Sequence, residues 1–228
     1  MTRLGVFVVS WNRLPFLTRT LESLLAVLDV PARVTVIDNA SEPETRQWLQ
    51  RFGRCVVHQL EENRWVNGAH TAAWPADLTT EYEYVLCCDN DVEFLLPLSV
   101  DCRFLDGHRD CDALSLQHSP EHDTLEEVVW CNHRIARKRA ERGTAVIYRA
   151  GFLQANRPLP TDKRLDFDWW LFRDGPESVA RRGGLVSVLI GAARHLAWRA
   201  GDSTWQSVEI PEFDEFKRPA KEALSCPR

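Results

Sequence analysis

Several residue patterns that identify common protein classes are missing from this chain of 228 residues. Its seven cysteines form no C-x-x-C pair, which argues against a zinc site of the usual spacing. No G-x-G-x-x-G segment is present, which argues against an NAD-binding enzyme. No apolar stretch approaches the ~20 residues that a membrane-spanning helix needs. The sequence is therefore typical of a globular protein whose chemistry depends on its polar residues.

Charge, cysteine content and the amino-terminal segment indicate the surroundings of the protein. The net charge of −5 provides no general attraction to nucleic acid or to anionic membranes. The short apolar run after Arg3 lacks the length and the cleavage site of a signal peptide. An odd number of cysteines without a pairing pattern suits a reducing compartment. We therefore expect a cytoplasmic protein, and 44% apolar residues are enough for one full core.

The first half of the chain alternates strand-like and helix-like segments. Nearly unbroken apolar runs predict buried strands, and apolar residues at helical spacing predict helices. The predicted elements are strands at 4–10, 33–37, 55–60 and 82–88 and helices at 17–28, 43–52 and 67–76. Ser41 is the expected N-cap of the second helix, which Gly53 would end. This order predicts an α/β fold with a parallel sheet and helices on both faces.

The second half of the chain is less regular. Its predicted elements are helices at 97–108 and 166–184 and strands at 113–118, 143–149 and 185–191. A basic segment, 134–149, carries six Lys or Arg residues against the single acid Glu141. Either it is the solvated face of a helix, or it holds a polyanionic acceptor such as a lipid diphosphate or a nucleic acid.

Polar residues follow three of the predicted strands. Ser10 and Asn12 follow the first strand, Asp38 follows the second, and the segment 89–91 follows the fourth. Because the carboxyl ends of parallel strands meet at one edge of a sheet, we expect these residues to converge there. That edge is also where open α/β sheets bind ligands, so the convergence predicts a binding site.

Asp89 and Asp91 are the clearest candidates for chemistry. They stand one residue apart at the end of an apolar run, YVLCCDNDV, where a rigid backbone lets two carboxylates share one divalent cation. Oxygen ligands suit Mg²⁺ or Mn²⁺, and a cation held in this way can neutralise a diphosphate. A solvated acidic turn is the alternative for an isolated pair of this kind. The neighbouring strand-end residues favour the nucleotide-diphosphate interpretation.

Seven segments, in order between residues 4 and 200, resemble the family 2 glycosyltransferases of the GT-A fold. They are VVSWNRLPFLTRTLESLL, VTVIDNASEPETRQWL, NRWVNGAHTAA, YVLCCDNDV, GTAVIYRAGFL, FDWWLFRDGPESVARRGG and RHLAWRAGDSTW. Each segment alone is a weak signal, and the seven in sequence are a much stronger one. The chain departs from the family where Phe167 precedes Asp168, because a Glu-Asp pair is usual there. It is also short for the family, so reduced or unusual elements are expected on the acceptor side.

The resemblance implies one GT-A domain over residues 1–205. Its nucleotide-binding half is 1–97, its acceptor-binding half is 98–205, and a tail follows at 206–228. The implied reaction moves a sugar from a nucleotide-diphosphate sugar, with UDP the expected nucleotide, to an acceptor hydroxyl. Inversion at the sugar is implied by the resemblance and by a single base opposite the leaving group, and no covalent nucleophile is apparent. The acceptor stays open among a saccharide, a lipid carrier, a natural product and a modified nucleic acid.

The resemblance also implies roles for individual residues. Asp91 is the surest ligand of Mn²⁺ or Mg²⁺. His195 is implied to complete the metal or diphosphate site, and a structural histidine with satisfied bonds is the alternative. Arg194 and Arg199 are the other candidates to meet the diphosphate. Asp38 is implied to bind the nucleobase, an N-cap or Asx turn made by Asp38 and Asn39 is an equal alternative, and the two roles are compatible. The residues expected at the nucleotide sugar are Ser10, Asn12, Asp38, Asn67, Gly68, Asp89 and Asn90. For Asn67 and Gly68, a simple turn at a helix entry is the alternative.

An attacking hydroxyl needs a general base, and the resemblance implies Asp168. Asp166 is the rival, and both residues can instead be first-turn acids that complement a helix dipole. Tryptophan faces can stack on sugars or nucleobases, although core packing is the alternative. The tryptophans in question are Trp169, Trp170, Trp198 and Trp205.

Two other functions remain open. A sugar-nucleotide pyrophosphorylase uses a similar sheet, but it needs a glycine-rich loop after the first strand. The segment 10–15 here contains no glycine, which counts against that function. A non-catalytic accessory protein that binds nucleotide sugars is the second possibility, and the residue Phe167 in place of the family's Glu supports it.

Overall fold

The computed structural model describes residues 2–119, 122–161 and 167–196. Its strands are β1 (Thr2–Ser10), β2 (Ala32–Asp38), β3 (Val56–Gln59), β4 (Tyr82–Asp89), β5 (Val92–Phe94), β6 (Ala113–Ser115), β7 (Thr124–Trp130), β8 (His133–Lys138), β9 (Ala145–Arg149), β10 (Val186–Leu189) and β11 (Ala193–His195). Its helices are α1 (Leu14–Val27), α2 (Pro43–Phe52), α3 (Trp65–Ala73), α4 (Leu78–Glu81), α5 (Leu98–Gly107), α6 (Ala150–Ala155) and α7 (Phe167–Trp169). A π-helical turn over Trp170–Asp174 continues α7.

A nine-stranded sheet in the order β3-β2-β1-β4-β9-β6-β10-β8-β7 forms the centre of the molecule. The strands β3, β2, β1 and β4 are parallel, and β9 then pairs antiparallel with β4. A separate antiparallel pair joins β5 to β11. In the parallel part, Ser10 lies opposite Asp38, and Val9 lies opposite Asp89. The predicted α/β class is confirmed, and its parallel strands bring the predicted strand ends to one edge.

Both faces of the sheet are covered, as the sequence predicts. On one face the apolar side of α1, including Leu17, Leu21 and Leu24, packs with α2 and α5. On the other face α3, α4 and α6 pack against the sheet. The adjacent residues Cys87 and Cys88 belong to these two opposite cores, because successive side chains of a strand alternate. Each fully buried leucine contributes about 1.5–3 kcal/mol, so the sheet provides a rigid base for its loops. No helix within the described ranges is long and apolar enough to span a membrane.

Two predictions about helix ends are wrong. The helix expected over 166–184 is helical only to Asp174, because Gly175 takes the extended backbone (ψ 158°) that a following proline favours. The expected N-cap Ser41 does not cap α2. Glu42 occupies that position, and the Ser41 hydroxyl instead accepts a hydrogen bond of 2.8 Å from the Asn12 backbone N–H. A long-range partner therefore replaces the local one.

The sequence offered a solvated helix face as one interpretation of the basic segment 134–149, and this interpretation is wrong. The segment contains most of β8 and all of β9. Several of its Lys and Arg side chains form ion pairs with Asp or Glu side chains. These pairs are Arg134 with Glu127 (2.7 Å), Arg137 with Asp110 (3.2 Å) and the fully buried Lys138 with Glu141 (2.8 Å). Arg149 donates to backbone carbonyls beyond the end of α5. Binding of a polyanion here stays a prediction, and these pairings do not favour it.

Asp101 is a buried carboxyl group in the first turn of α5. It is 1% exposed, and neither of its oxygens bonds to any residue of the described ranges. Burial raises its pKa well above the usual range, and the nearby Asp29 adds to the shift. Because the folded protein holds this proton more tightly than the unfolded chain, stability falls as the pH rises above about 4, the usual carboxyl value.

We expect Asp101→Asn to stabilise the protein at pH 8. At pH 8 the folded protein must either bury the ionised carboxylate of Asp101 without a partner or take up a proton that the unfolded chain has lost. Either costs about 1–3 kcal/mol of folding free energy, and the neutral amide of asparagine avoids that cost. Urea unfolding at pH 4 and pH 8 measures the effect, which should disappear at pH 4. Asp123→Asn, at an exposed position, is the matched control and should change little at either pH. Destabilisation by Asp101→Asn at pH 8 would contradict this account.

Candidate functional site

The predicted strand-end residues meet in one hydrogen-bonded group at the carboxyl edge of the sheet. The Asn90 side chain donates to the Ser10 hydroxyl (3.3 Å) and to the Asn12 carbonyl (3.1 Å). The Asn12 N–H donates to Ser41, whose own N–H donates to the Asp38 carboxylate (3.1 Å). The turns after β1, β2 and β4 therefore fix one another, and the sequence correctly predicts that these side chains lie close together.

The same edge carries unusual backbone conformations. Asn12, Arg13, Ala40 and Trp65 have φ values of 55°, 54°, 62° and 58°, in the left-handed region. Residues other than glycine seldom adopt this region, and such positions concentrate at functional sites. The turns at this edge are therefore shaped by their tertiary hydrogen bonds more than by local preference.

Asp38 is completely buried at the end of β2. Its carboxylate accepts hydrogen bonds from the Ser41 N–H and, at 3.3 Å, from the Gln59 side chain. Arg46 Nε lies 3.4 Å from the same carboxylate. The Asp38 side chain thus bonds to the backbone N–H three residues on, a local turn contact that differs from the i+2 bond of an Asx turn. The predicted contact with a nucleobase is untested and stays a prediction.

Asn39 joins the next loop to this edge. Its side-chain amide donates to Asn63 (2.9 Å), and its side-chain oxygen accepts from the Arg64 N–H (2.8 Å). These bonds place the entry of α3, with the predicted residues Asn67 and Gly68 inside the helix rather than at a turn before it. Asn67 is buried. A Cβ at position 68 would lie 2.8 Å from the Arg64 Cβ, so glycine here accommodates Arg64.

Asp91 is held between a cation and an imidazole. Its side chain is 4% exposed, and Oδ2 accepts a 2.8 Å charged hydrogen bond from Arg13 Nη1. Oδ1 is buried, makes no hydrogen bond to the described residues and lies 3.5 Å from His195 Nε2. Asp89 is half-buried, and its N–H donates to the Thr144 carbonyl (2.9 Å). Arg13 is a site residue that the sequence interpretation missed.

His195 lies beside Asp91 because β11 pairs with β5. His195 is opposite Val92 in this pair, and the next N–H, of Leu196, donates to the Asp91 carbonyl (2.7 Å). Burial lowers the pKa of His195 below its usual value, and the Asp91 carboxylate opposes that shift. A neutral imidazole has a lone pair to offer a metal. Arg194 points to Glu93 instead, so it does not meet the site in this arrangement.

A divalent metal is compatible with this arrangement but has no complete set of ligands in it. Within residues 2–119, 122–161 and 167–196, no three His, Cys, Asp or Glu side chains are grouped as a metal site requires. The buried Asp91 Oδ1 beside His195 Nε2 is nevertheless a pair of donors that a cation would satisfy. Asp91 and His195 therefore fit as two ligands, and further ligands would come from Asp89, water or a diphosphate.

Asp168 lies in the short helix α7. Its Oδ2 accepts from the Gly143 N–H (3.0 Å), and its Oδ1 accepts from the Trp169 N–H (2.9 Å). A Cβ at position 143 would lie 2.7 Å from the Asp168 Cβ, so only glycine permits this approach. Thr144, the next residue, bonds to Asp89. The segment 143–144 thus connects Asp168 with the acidic turn.

The aromatic residues beside Asp168 have mainly structural contacts. Phe167, where the family usually has Glu, packs against His70 with ring centres 4.7 Å apart. The Trp170 ring N–H donates to the Asn156 carbonyl, and Arg173 stacks on Trp169. The remaining candidates fall outside the described residues: Asp166, Trp198, Arg199 and Trp205.

Comparison with known proteins identifies relatives of this architecture. Residues 5–96 match the model of glycosyl transferase family 2. A search of curated proteins found no significant match. The structure of S. aureus TarS 1–349 is similar, and the match covers 82% of this chain and 58% of TarS 1–349, with 24% identity and a TM-score of 0.57. For TarS 1–349 with UDP-GlcNAc, the values are 99% and 68% coverage, 23% identity and a TM-score of 0.60.

A mannosyltransferase, PcManGT from Pyrobaculum calidifontis in complex with GDP-Man and Mn²⁺, is similar over 100% of this chain and 65% of its own. The identity is 16% and the TM-score 0.58. The chain thus spans between half and two thirds of the length of the first TarS structure and of PcManGT. The predicted resemblance to the family 2 glycosyltransferases is therefore confirmed for residues 5–96, and the chain has the α/β fold of the GT-A type.

Proposed function

We propose that this chain transfers a sugar from a nucleotide-diphosphate sugar, with UDP as the expected nucleotide, to an acceptor hydroxyl. The observation that carries the proposal is the position of Asp91. Its carboxylate is buried where the parallel strands end. Oδ2 accepts from Arg13, whereas Oδ1 lies 3.5 Å from His195 Nε2 and makes no hydrogen bond to a described residue. A buried carboxylate oxygen without a donor is costly unless a ligand satisfies it. The cytoplasmic location stays a prediction.

Asp91 and His195, with Asp89, are the residues that would hold Mn²⁺ or Mg²⁺. Such an ion would neutralise the negative charge that develops on the leaving diphosphate. Asp89 is the half-buried member, and its backbone is fixed by Thr144. Its carboxylate can therefore reach the ion directly or contact the ribose. Metal dependence rests on this donor set and on the Mn²⁺ bound by the related mannosyltransferase.

The nucleotide would lie over the ends of β1 and β2. Ser10, Asn12 and Asn90 hold one another in place, and Asp38 anchors the turn on the far side. An ionised carboxylate has about four acceptor positions, so Asp38 can accept a ring N–H of a base beside its present partners. The bonds between these turns already hold the groups together, which would lower the entropic cost of binding.

Asp168 would take the proton of the attacking hydroxyl. The backbone N–H groups of Gly143 and Trp169 donate to its carboxylate and help to fix the orientation of that group. Gly143 is adjacent to Thr144, whose carbonyl accepts from the Asp89 N–H, so the proposed base is connected to the acidic turn through this short segment. Direct displacement with inversion would require a single base opposite the leaving group, and Asp168 is the residue proposed for that role.

A screen of nucleotide sugars tests the function. Purified protein is incubated with each donor and Mn²⁺, and released nucleotide diphosphate is measured with and without candidate hydroxyl acceptors. We expect release from one class of donor, with loss of release when EDTA removes the metal. Tight binding of a nucleotide sugar without release under any condition would instead support the accessory-protein function, which the residue Phe167 favours.

A further inference from the structure

Arg13 already provides positive charge at the proposed metal site. It occupies the N-cap of α1 in the left-handed conformation (φ 54°, ψ 44°), and its guanidinium contacts Asp91 Oδ2 at 2.8 Å. The arginine side chain is 23% exposed, whereas the Asp91 side chain is 4% exposed. The Asp91 carboxylate is therefore enclosed by the protein, whereas the Arg13 guanidinium is accessible enough to turn towards a ligand.

The backbone around Arg13 holds it in this position. Its carbonyl accepts from the N–H groups of Phe16 and Leu17, which starts the helix. Further along α1, the hydroxyls of Thr20 and Ser23 accept from the N–H groups of Val92 and Phe94 in β5. The start of α1 and the acidic turn therefore form one unit, so a guanidinium that leaves Asp91 stays within reach of the same site.

This pairing makes a divalent ion and the guanidinium competitors for one carboxylate. With Arg13 bound, the charge of Asp91 is largely neutralised, and a cation at Oδ1 meets a like charge nearby. A diphosphate changes this balance because its oxygens give the guanidinium a new partner of suitable geometry.

Building on the proposed function, we propose that Arg13 couples metal binding to nucleotide binding. In the free protein it weakens the binding of a divalent ion at Asp91. When a nucleotide diphosphate is present, the guanidinium moves from Asp91 Oδ2 to a diphosphate oxygen and leaves the whole carboxylate to the metal. The site then fills with metal and nucleotide together rather than with metal alone.

Mn²⁺ titrations by electron paramagnetic resonance, with and without UDP, test this coupling. In the wild-type protein we expect UDP to tighten Mn²⁺ binding by about tenfold or more, within the usual range of coupling between sites. Arg13→Gln should bind Mn²⁺ alone about tenfold more tightly, because no guanidinium competes for Asp91. Its enhancement by UDP should fall by a similar factor. Arg13→Asn, which tolerates the left-handed backbone, provides a second neutral variant.

Arg13→Lys and Arg19→Gln are the controls. Lysine keeps the charge, so coupling should persist. Arg19 lies on the same helix and pairs with the buried Glu93, so its loss removes a similar ion pair without touching Asp91. Unchanged or weaker binding of Mn²⁺ alone in both neutral variants, or an equal effect of Arg19→Gln, would overturn the role of Arg13. Failure of every version, including wild type, to bind Mn²⁺ or UDP would overturn both this inference and the proposed function.

Discussion

Replacing Asp91 with alanine is expected to abolish metal-dependent nucleotide binding. The change removes the carboxylate whose Oδ1 lies beside His195, and with it the strongest metal ligand of the proposed site. Loss of a metal ligand should lower the affinity for UDP in the presence of Mn²⁺ by ~100-fold or more. Calorimetric titration with UDP, with and without Mn²⁺, measures the loss. UDP binding in the absence of metal should change much less.

Asp106→Ala is the matched control for this experiment. Asp106 is also a carboxylate paired with an arginine, Arg3, but it contacts Tyr84 near the opposite end of β4. Its removal should leave nucleotide affinity unchanged apart from effects on stability. Thermal unfolding of each variant separates a local effect from misfolding. Equal affinity of folded Asp91→Ala and wild-type protein for UDP with Mn²⁺ would remove Asp91 from the site.

Replacing Asp168 with asparagine is expected to lower turnover by about 10²–10⁴-fold, the usual contribution of a general base. Donor binding should persist, because the residues proposed to bind the nucleotide lie on other elements. The asparagine oxygen can replace one of the two acceptors now used by Gly143 and Trp169, so the local structure should survive. The rate of sugar transfer and the affinity for UDP are measured in parallel.

Asp174→Asn is the corresponding control. Asp174 belongs to the helical turn that continues α7, and it pairs with Arg173. We expect it to have little effect on turnover. Full activity of Asp168→Asn would exclude Asp168 as the base, and loss of activity in Asp166→Asn instead would transfer the role to that residue. Loss of UDP binding in Asp168→Asn would indicate a structural role.

The fold of the first half is predictable because its signals are local. Apolar runs and helical spacing within single segments predict every element from β1 to β4 except the short α4, and the parallel order follows from their alternation. The second half depends on pairings between strands that are distant in sequence, such as β4 with β9, and on a hairpin with no clear turn signal. The hairpin of β7 and β8 turns at Cys131 and Asn132, with φ values of 47° and 67° and no glycine to indicate it. A π-helical turn after α7 likewise has no clear pattern in the sequence.

The candidate site shows the same division. Ser10, Asn12, Asp38 and Asn90 are predicted together because each follows a parallel strand directly. Arginine partners are harder to predict, because a long side chain can reach acids from several elements. Arg13 could have been suspected from its position next to Asn12 at the end of β1. Its choice of Asp91, 78 residues away, depends on the packed structure.

Among the residues that the structure describes, the short strand β5 pairs with one strand, β11. On its other edge, backbone N–H groups of Val92 and Phe94 donate to hydroxyl groups of α1. The hydroxyl oxygens of Thr20 and Ser23 thus accept the hydrogen bonds that backbone carbonyls of a neighbouring strand would normally accept. An opening of the acidic turn on this side must break the bonds from Thr20 and Ser23, whose parent helix is anchored in the core by three leucines. The loop that would receive the diphosphate therefore shares the thermodynamic stability of the central domain, which suits a site whose charges must already be in place when the donor arrives.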